Sequence, residues 1–262
     1  MLGAADSRSA GVASDVMDLT IVGCSGSFPG RGSAASCYLV TAGDFRLIVD
    51  LGNGAFGTLQ KFADPAGIDA VLISHLHSDH CLDMCAYQVF RTYYPAGELP
   101  PIPVYGPAGT ADRLALASGA GSGEAMANRF EFVTVEPGTF EIGPIAVTAG
   151  LMNHPVQTFG YRFEHAGRAI TYSADTGPSD RLVSLADGAD VLLCEATFTE
   201  RPGLPADLHL TPRQAGEHAA GAGAGRLVLT HLMPWNDRDR AQAEAAEAYG
   251  DGVSLADPGQ VL

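Results

Sequence analysis

Short apolar runs recur along this chain, each bounded by polar or glycine-rich breaks. Runs of this length, rich in Val, Ile and Leu, read as buried strands. They predict strands over residues 19–24, 46–50, 70–74, 145–149, 161–163, 169–173, 191–194, 227–230 and 253–256. Between them, apolar positions recur at helical spacing over 82–94, 110–118, 179–186, 212–222 and 238–249. The Gly/Ser/Ala-rich stretch 118–123 reads as a loop. Strands and helices fall into two strand-rich halves with no long linker between them. The expected architecture is α/β, two packed β-sheets with helices outside, forming one domain over 19–262. Residues 1–18 read as a disordered polar tail, without the basic start and apolar core of a signal peptide.

Polar residues with metal-binding chemistry stand where these strands end. Ser74-His75-Leu76-His77-Ser78-Asp79-His80 places three imidazoles and a carboxylate directly after the apolar run Ala70-Val71-Leu72-Ile73. His154 follows the strand at 145–149, Asp175 the one at 169–173, and His231 the one at 227–230. Loops beyond strand ends are where α/β sites assemble. Imidazole and carboxylate together suit zinc, with manganese or iron as alternatives. Two other histidines read differently: His165 as part of a hairpin turn, His218 as a packing residue on an Ala/Gly-rich helix.

Composition narrows the partners. Among 262 residues the formal net charge is −15, and Lys61 is the only lysine. Such a chain repels polyanions at long range and shows no basic cluster, so extended nucleic acid is a poor partner. Cys24, Cys37, Cys81, Cys85 and Cys194 are odd in number and irregular in spacing. They read as free, mostly buried thiols in a reducing compartment, the cytoplasm. Cys81 and Cys85 share a helix face, but no second cysteine pair completes a zinc site, so core packing is expected. No apolar stretch reaches the roughly 18–20 residues of a membrane span.

The H-x-H-x-D-H run, followed by a later His, an Asp and a final His, resembles the metallo-β-lactamase superfamily over nearly the whole chain after residue 18. The resemblance implies a four-layer αβ/βα sandwich and two divalent metal ions. One ion would be held by His75, His77 and His154, the second by Asp79, His80 and His231, with Asp175 bridging. Such a pair supplies Lewis acidity and a nucleophile from water at neutral pH, which Asp79 would help to orient or deprotonate.

Two further boxes resemble the phosphodiesterase branch that includes ribonuclease Z: Cys194-Glu195-Ala196-Thr197-Phe198 and Asp207-Leu208-His209-Leu210-Thr211. This likeness implies that His209 protonates the leaving oxygen and that Glu195 orients it, as an alkoxide leaving group requires. The segment His154–Tyr161 and the loop Gly23-Cys24-Ser25-Gly26-Ser27 also resemble that branch. One departure stands out. Ribonuclease Z carries a long basic arm between the Gly-Tyr segment and the bridging Asp, whereas here only residues 162–174 separate Tyr161 from Asp175. The chain looks similar over its length to actinobacterial cyclic-nucleotide phosphodiesterases. That implies hydrolysis of a small phosphodiester, such as 3′,5′-cyclic AMP, to the 5′-monophosphate. A tRNA 3′-endonuclease, or a lactonase, thioesterase or arylsulfatase, remains the alternative. Relatives often form dimers, so a homodimer is an open expectation. Phe28, Tyr87, Tyr93, Tyr94, Phe159 and Trp235 are candidates to stack on a base, Trp235 foremost because it closely follows His231. Arg91 reads as a surface salt-bridge residue or, less favoured, a phosphate contact.

Overall fold

The computed structural model describes residues 16–262. The first half of the chain forms strands β1 (Met17–Ser25), β2 (Ala34–Ala35), β3 (Cys37–Ala42), β4 (Phe45–Val49), β5 (Ala70–Leu72), β6 (Ile102–Gly106) and β7 (Phe130–Thr134). The second half forms β8 (Gly138–Ile142), β9 (Ile145–Leu151), β10 (Phe159–His165), β11 (Arg168–Tyr172), β12 (Val191–Glu195), β13 (Leu227–Thr230) and β14 (Val253–Leu255). Helices α1 (Ala55–Leu59), α2 (Ser78–Cys81), α3 (Met84–Thr92) and α4 (Thr110–Ser118) belong to the first half. Helices α5 (Asp180–Leu185), α6 (Pro212–Gly221) and α7 (Arg238–Tyr249) belong to the second.

Each half builds a seven-stranded sheet, in the orders β2-β1-β3-β4-β5-β6-β7 and β14-β13-β12-β11-β10-β9-β8. Antiparallel pairing among β1, β3 and β4 gives way to parallel pairing from β4 through β7. The second sheet repeats this, antiparallel from β8 to β11 and parallel from β11 to β14. The central parallel strands β5, β12 and β13 are buried on both faces, which is why they read as continuous apolar runs. Leu47, Leu72 and Ile21 meet Val147, Tyr161, Leu193 and Val228 between the sheets. On the outer face of the first sheet, Ile48 and Val71 lie under Leu59, Met84 and Leu114 of α1, α3 and α4. On the outer face of the second, Leu192 and Leu229 lie under Leu182, Ala215 and Ala245 of α5, α6 and α7. The result is the four-layer αβ/βα sandwich.

Several expectations change. Of the expected tail, residues 1–15 lie outside the described residues, while Met17 and Asp18 already belong to β1, with Met17 fully buried. The helix expected over 82–94 is α3 (Met84–Thr92), and a separate short helix, α2, precedes it from Ser78, directly after His77. Strands β2, β3, β6, β7 and β8 and helix α1 are additions. Pro103 interrupts the apolar signal of β6. Strands β7 and β8, each at the edge of its own sheet, are short and largely exposed. Tyr87 and Phe159 are core residues and leave the set of base-stacking candidates. His165 accepts its place at the β10–β11 hairpin, its Nδ1 2.9 Å from the Pro144 carbonyl. His218 ties α6 to α5: Nδ1 donates to the Gln214 carbonyl at 2.7 Å, and Nε2 accepts the Ser179 N–H at 3.0 Å. All five cysteines are free thiols, and the Cys81 thiol donates to the His77 carbonyl at 3.2 Å. Among the described residues no helix is long and apolar enough to cross a membrane.

Arg91 is the clearest correction. It is 1% exposed, on the same face of α3 as Met84 and Tyr87. Its guanidinium donates to the Tyr87 hydroxyl at 3.2 Å and to the Pro100 carbonyl, clamping α3 to the approach of β6. Helical spacing put Arg91 on the buried stripe, and its long stem lets it pack there while its head finds carbonyl and ring partners. Arg91→Ala is therefore expected to cost about 2 kcal/mol in urea unfolding, against about 0.5 kcal/mol or less for a surface arginine; a change in the smaller range would return Arg91 to the surface role.

Candidate active site

The residues singled out at strand exits converge on one edge of the sandwich. His75 and His77 leave β5, and Asp79 and His80 lie in the single turn of α2. Asp175 follows β11, Glu195 ends β12, and His231 follows β13. His154 lies beyond β9, and His209 precedes α6. Backbone geometry at this edge is unusual: Ser27, Asp50, Ala174 and His231 all have left-handed φ values, between 50° and 61°. Such residues cost free energy and persist where surrounding contacts hold them. Two glycines permit the close approaches involved. A Cβ on Gly52 would lie 1.8 Å from the Asp79 carbonyl oxygen, and one on Gly26 would lie 2.2 Å from that of His231.

Two groups of donor atoms result. In the first, His77 Nδ1 lies 3.1 Å from His75 Nε2 and 3.3 Å from His154 Nε2. Asp175 Oδ2 is 3.6 Å from His75 Nε2. In the second, His231 Nε2 lies 3.3 Å from His80 Nε2 and 3.1 Å from Asp79 Oδ2. Asp175 Oδ1 is 3.3 Å from His80 Nε2 and 3.6 Å from His231 Nε2. Tetrahedral coordination at zinc–nitrogen distances near 2.0–2.1 Å requires ligand atoms roughly 3.3–3.4 Å apart, so both groups fit a divalent ion. Asp175 faces each group with one oxygen, and its Oδ1, though buried, has no hydrogen-bond partner. Both clusters are thus able to bind metal.

The nitrogens turned away from these clusters are held in turn. Nδ1–H of His80 donates to Asp50 Oδ2 at 2.8 Å. Nδ1 of His75 meets Ser74 Oγ at 3.1 Å, and that hydroxyl donates to Asp50 Oδ2 at 2.8 Å. Nδ1 of His154 donates to the Leu208 carbonyl at 2.8 Å, and Nδ1 of His231 meets Thr197 Oγ1 at 2.7 Å. These bonds select the tautomer that leaves Nε2 free to ligate. Asp50, Ser74 and Thr197, which hold the candidate ligands, are residues that the sequence reading missed. Asp50 could have been found, because it too is a polar residue closing an apolar strand.

Charge follows the geometry. Burial lowers His75, His77 and His154, keeping them neutral and able to bind a cation. Burial would raise Asp79, but hydrogen bonds from His231 and His80 hold it below the usual carboxylate range. Asp175 is likewise held low against burial by His231 and His80. His80 itself is raised against burial by Asp175 and Asp50. His209 donates from Nδ1 to Glu195 Oε1 at 2.8 Å. Burial pulls its imidazolium down, yet the Glu195 charge and hydrogen bond outweigh it, and the pKa is pushed up to about 9. Glu195 is fully buried and also accepts from Thr176 N–H at Oε1 and from the Thr197 hydroxyl at Oε2. The ring of His209 lies 5.6 Å from both His154 and His231. Beside it opens a cleft of about 480 Å³ lined by Ser27, Phe198, Arg201, Trp235 and Asn236.

An αβ/βα sandwich with such a His/Asp cluster across its strand ends defines a class of metal-dependent hydrolases. Comparison with known proteins agrees. The β-lactamase superfamily domain matches residues 46–232. An uncharacterized protein of Mycobacterium tuberculosis is 42% identical over 242 residues, covering 90% of this chain and 88% of that one. Ribonuclease Z of Mycolicibacterium gilvum is 30% identical, covering 92% and 94%. The crystal structure of the metallo-β-lactamase fold protein YhfI from Bacillus subtilis superposes with a TM-score of 0.83 at 29% identity, covering 94% and 98%. This chain belongs to the metallo-β-lactamase superfamily, in the branch that includes ribonuclease Z. It is a metal-dependent hydrolase.

Asp50→Ala removes the acceptor shared by Ser74, His80 and Tyr172. Its metal affinity is expected to fall about 10- to 100-fold in a chelator competition titration; unchanged affinity would show that Asp50 serves packing alone.

Proposed function

We propose that this protein is a phosphodiesterase that hydrolyses a small phosphodiester, most specifically a 3′,5′-cyclic nucleotide such as cyclic AMP, to the 5′-monophosphate. Two divalent ions, zinc foremost and manganese or iron(II) as alternatives, would be held by His75, His77 and His154 and by Asp79, His80 and His231. Asp175 would bridge them. When bound, such ions supply Lewis acidity toward phosphoryl oxygens and acidify water for attack on phosphorus.

The observation that supports this reading best is the Glu195–His209 pair, set 2.8 Å apart beside both donor groups. Hydrolysis of an ester with a good leaving group needs no proton donor, whereas departure of a ribose 3′ oxygen does. Glu195 holds the proton on His209 Nδ1 and keeps the ring cationic, so Nε2–H can be delivered to the departing oxygen. Asp79 would orient the attacking water. Water is limited around these groups, since Asp175, His80 and Glu195 are buried. A cleft near 480 Å³ is the size of a mononucleotide site rather than a polymer groove. Two residues, Ala166 and Gly167, join β10 to β11, where ribonuclease Z carries its arm. Together with a net charge of −15, this disfavours tRNA. The 30% identity to ribonuclease Z keeps a tRNA 3′-endonuclease as the second reading. Five free thiols suit the reducing cytoplasm.

Metal-loaded protein is expected to convert cyclic AMP to 5′-AMP, and chelation is expected to abolish turnover. His209→Ala should lose about 10²- to 10⁴-fold on cyclic AMP with metal content intact. The same variant should lose far less on bis-p-nitrophenyl phosphate, whose leaving group departs without a proton. Equal losses on both substrates would remove His209 from the acid role, and turnover of tRNA precursor in place of cyclic AMP would favour the second reading.

A further inference from the structure

Trp235 is the only tryptophan in the chain, and it is 70% exposed. A ring of that size left in water, at the lip of a cleft that reaches His209, is the kind of apolar surface that serves a ligand. The segment around it is held in place. Leu232 bridges to Ser25, the Asn236 N–H donates to the Met233 carbonyl at 2.9 Å, and Asn236 Nδ2 donates to the Thr197 carbonyl at 2.9 Å. Phe28, from the loop after β1, backs the indole at a ring-centroid distance of 5.3 Å. The backbone is thus anchored to the ends of β1, β12 and β13, while most of the ring stays exposed. A platform fixed before binding loses little freedom when a ligand settles on it.

One neighbour gives the platform a polar edge. With one Nδ2–H engaged by Thr197, Asn236, a residue of the cleft lining, keeps Oδ1 as an acceptor beside its second N–H. Phe198 also lines the cleft, its ring meeting His209 edge-on at 5.2 Å. An aromatic heterocycle bearing an exocyclic amine would satisfy both the indole face and the Asn236 acceptor. Tyr93 and Tyr94, at the end of α3, do not line this cleft.

We propose that Trp235, backed by Phe28, is the base-stacking platform of this enzyme, and that Asn236 Oδ1 accepts a hydrogen bond from the exocyclic amine of the base. The assignment rests on the phosphodiesterase reading for its substrate but is tested without turnover. Because the chain has a single tryptophan, its fluorescence reports on this ring alone. Metal-loaded protein titrated with 5′-AMP should show saturable quenching, and ribose 5-phosphate, which lacks the base, should not quench. By calorimetry Trp235→Ala should weaken 5′-AMP binding about 10-fold or more, and Trp235→Phe should restore most of it, as expected for base–aromatic stacking. Equal responses to 5′-AMP and ribose 5-phosphate, or unchanged 5′-AMP affinity in Trp235→Ala, would overturn the platform. Quenching by 5′-AMP without turnover of cyclic AMP would leave the platform standing while the reaction assigned above fails. Turnover with no quenching would do the reverse.

Discussion

The structure depends on one buried carboxylate. Asp50 leaves the first sheet at the end of β4 and reaches the space between the sheets. There it accepts from Ser74 N–H, Ser74 Oγ–H, His80 Nδ1–H and the hydroxyl of Tyr172, which belongs to the second sheet. A charge buried without such donors would be costly, and removing any one of them leaves a polar group stranded. The same four bonds do three things. They fix the turn after β5 that launches the H-x-H-x-D-H run, orient two of its imidazoles, and tie one sheet to the other directly beneath the site.

That tie matters because neither half of the chain holds a complete site. The first half contributes His75, His77, Asp79 and His80, and the second contributes His154, Asp175, Glu195, His209 and His231. Only the packed sandwich brings the two sets within ligand distance. Metal binding is therefore coupled to closure of the core, and any bound ion stabilises the joined halves over the separated ones. The left-handed backbone at Asp50, Ala174 and His231 shows where this convergence stores strain.

The sequence was most legible where local chemistry and burial agree. The central parallel strands were visible because both faces are apolar, as in Leu227-Val228-Leu229, and the candidate ligand residues were visible because polar side chains follow such runs. Legibility failed where tertiary contacts decide. Arg91 looks like a surface cation until Tyr87 and the Pro100 carbonyl receive it. The edge strands β7 and β8 look like loops because more than half of their residues face water. Thr197 and Ser74 are ordinary hydroxyl residues in sequence, and only the fold turns them toward His231 and His75.

The two-residue turn at Ala166 and Gly167 joins β10 to β11 with both residues left-handed, and His165 pairs with Arg168 across it. The strand ends are held at ladder spacing by the sheet, whatever chain connects them. Doubling the length of a flexible connection costs only about 0.6 kcal/mol in closure entropy. This turn is accordingly a socket: an arm can be grafted or trimmed there at little expense to the sandwich or the metal ligands. On the proposed phosphodiesterase reading, the step from macromolecular to small substrates within one scaffold becomes a matter of what is plugged into a single hairpin, leaving catalytic machinery and substrate range free to evolve on separate schedules.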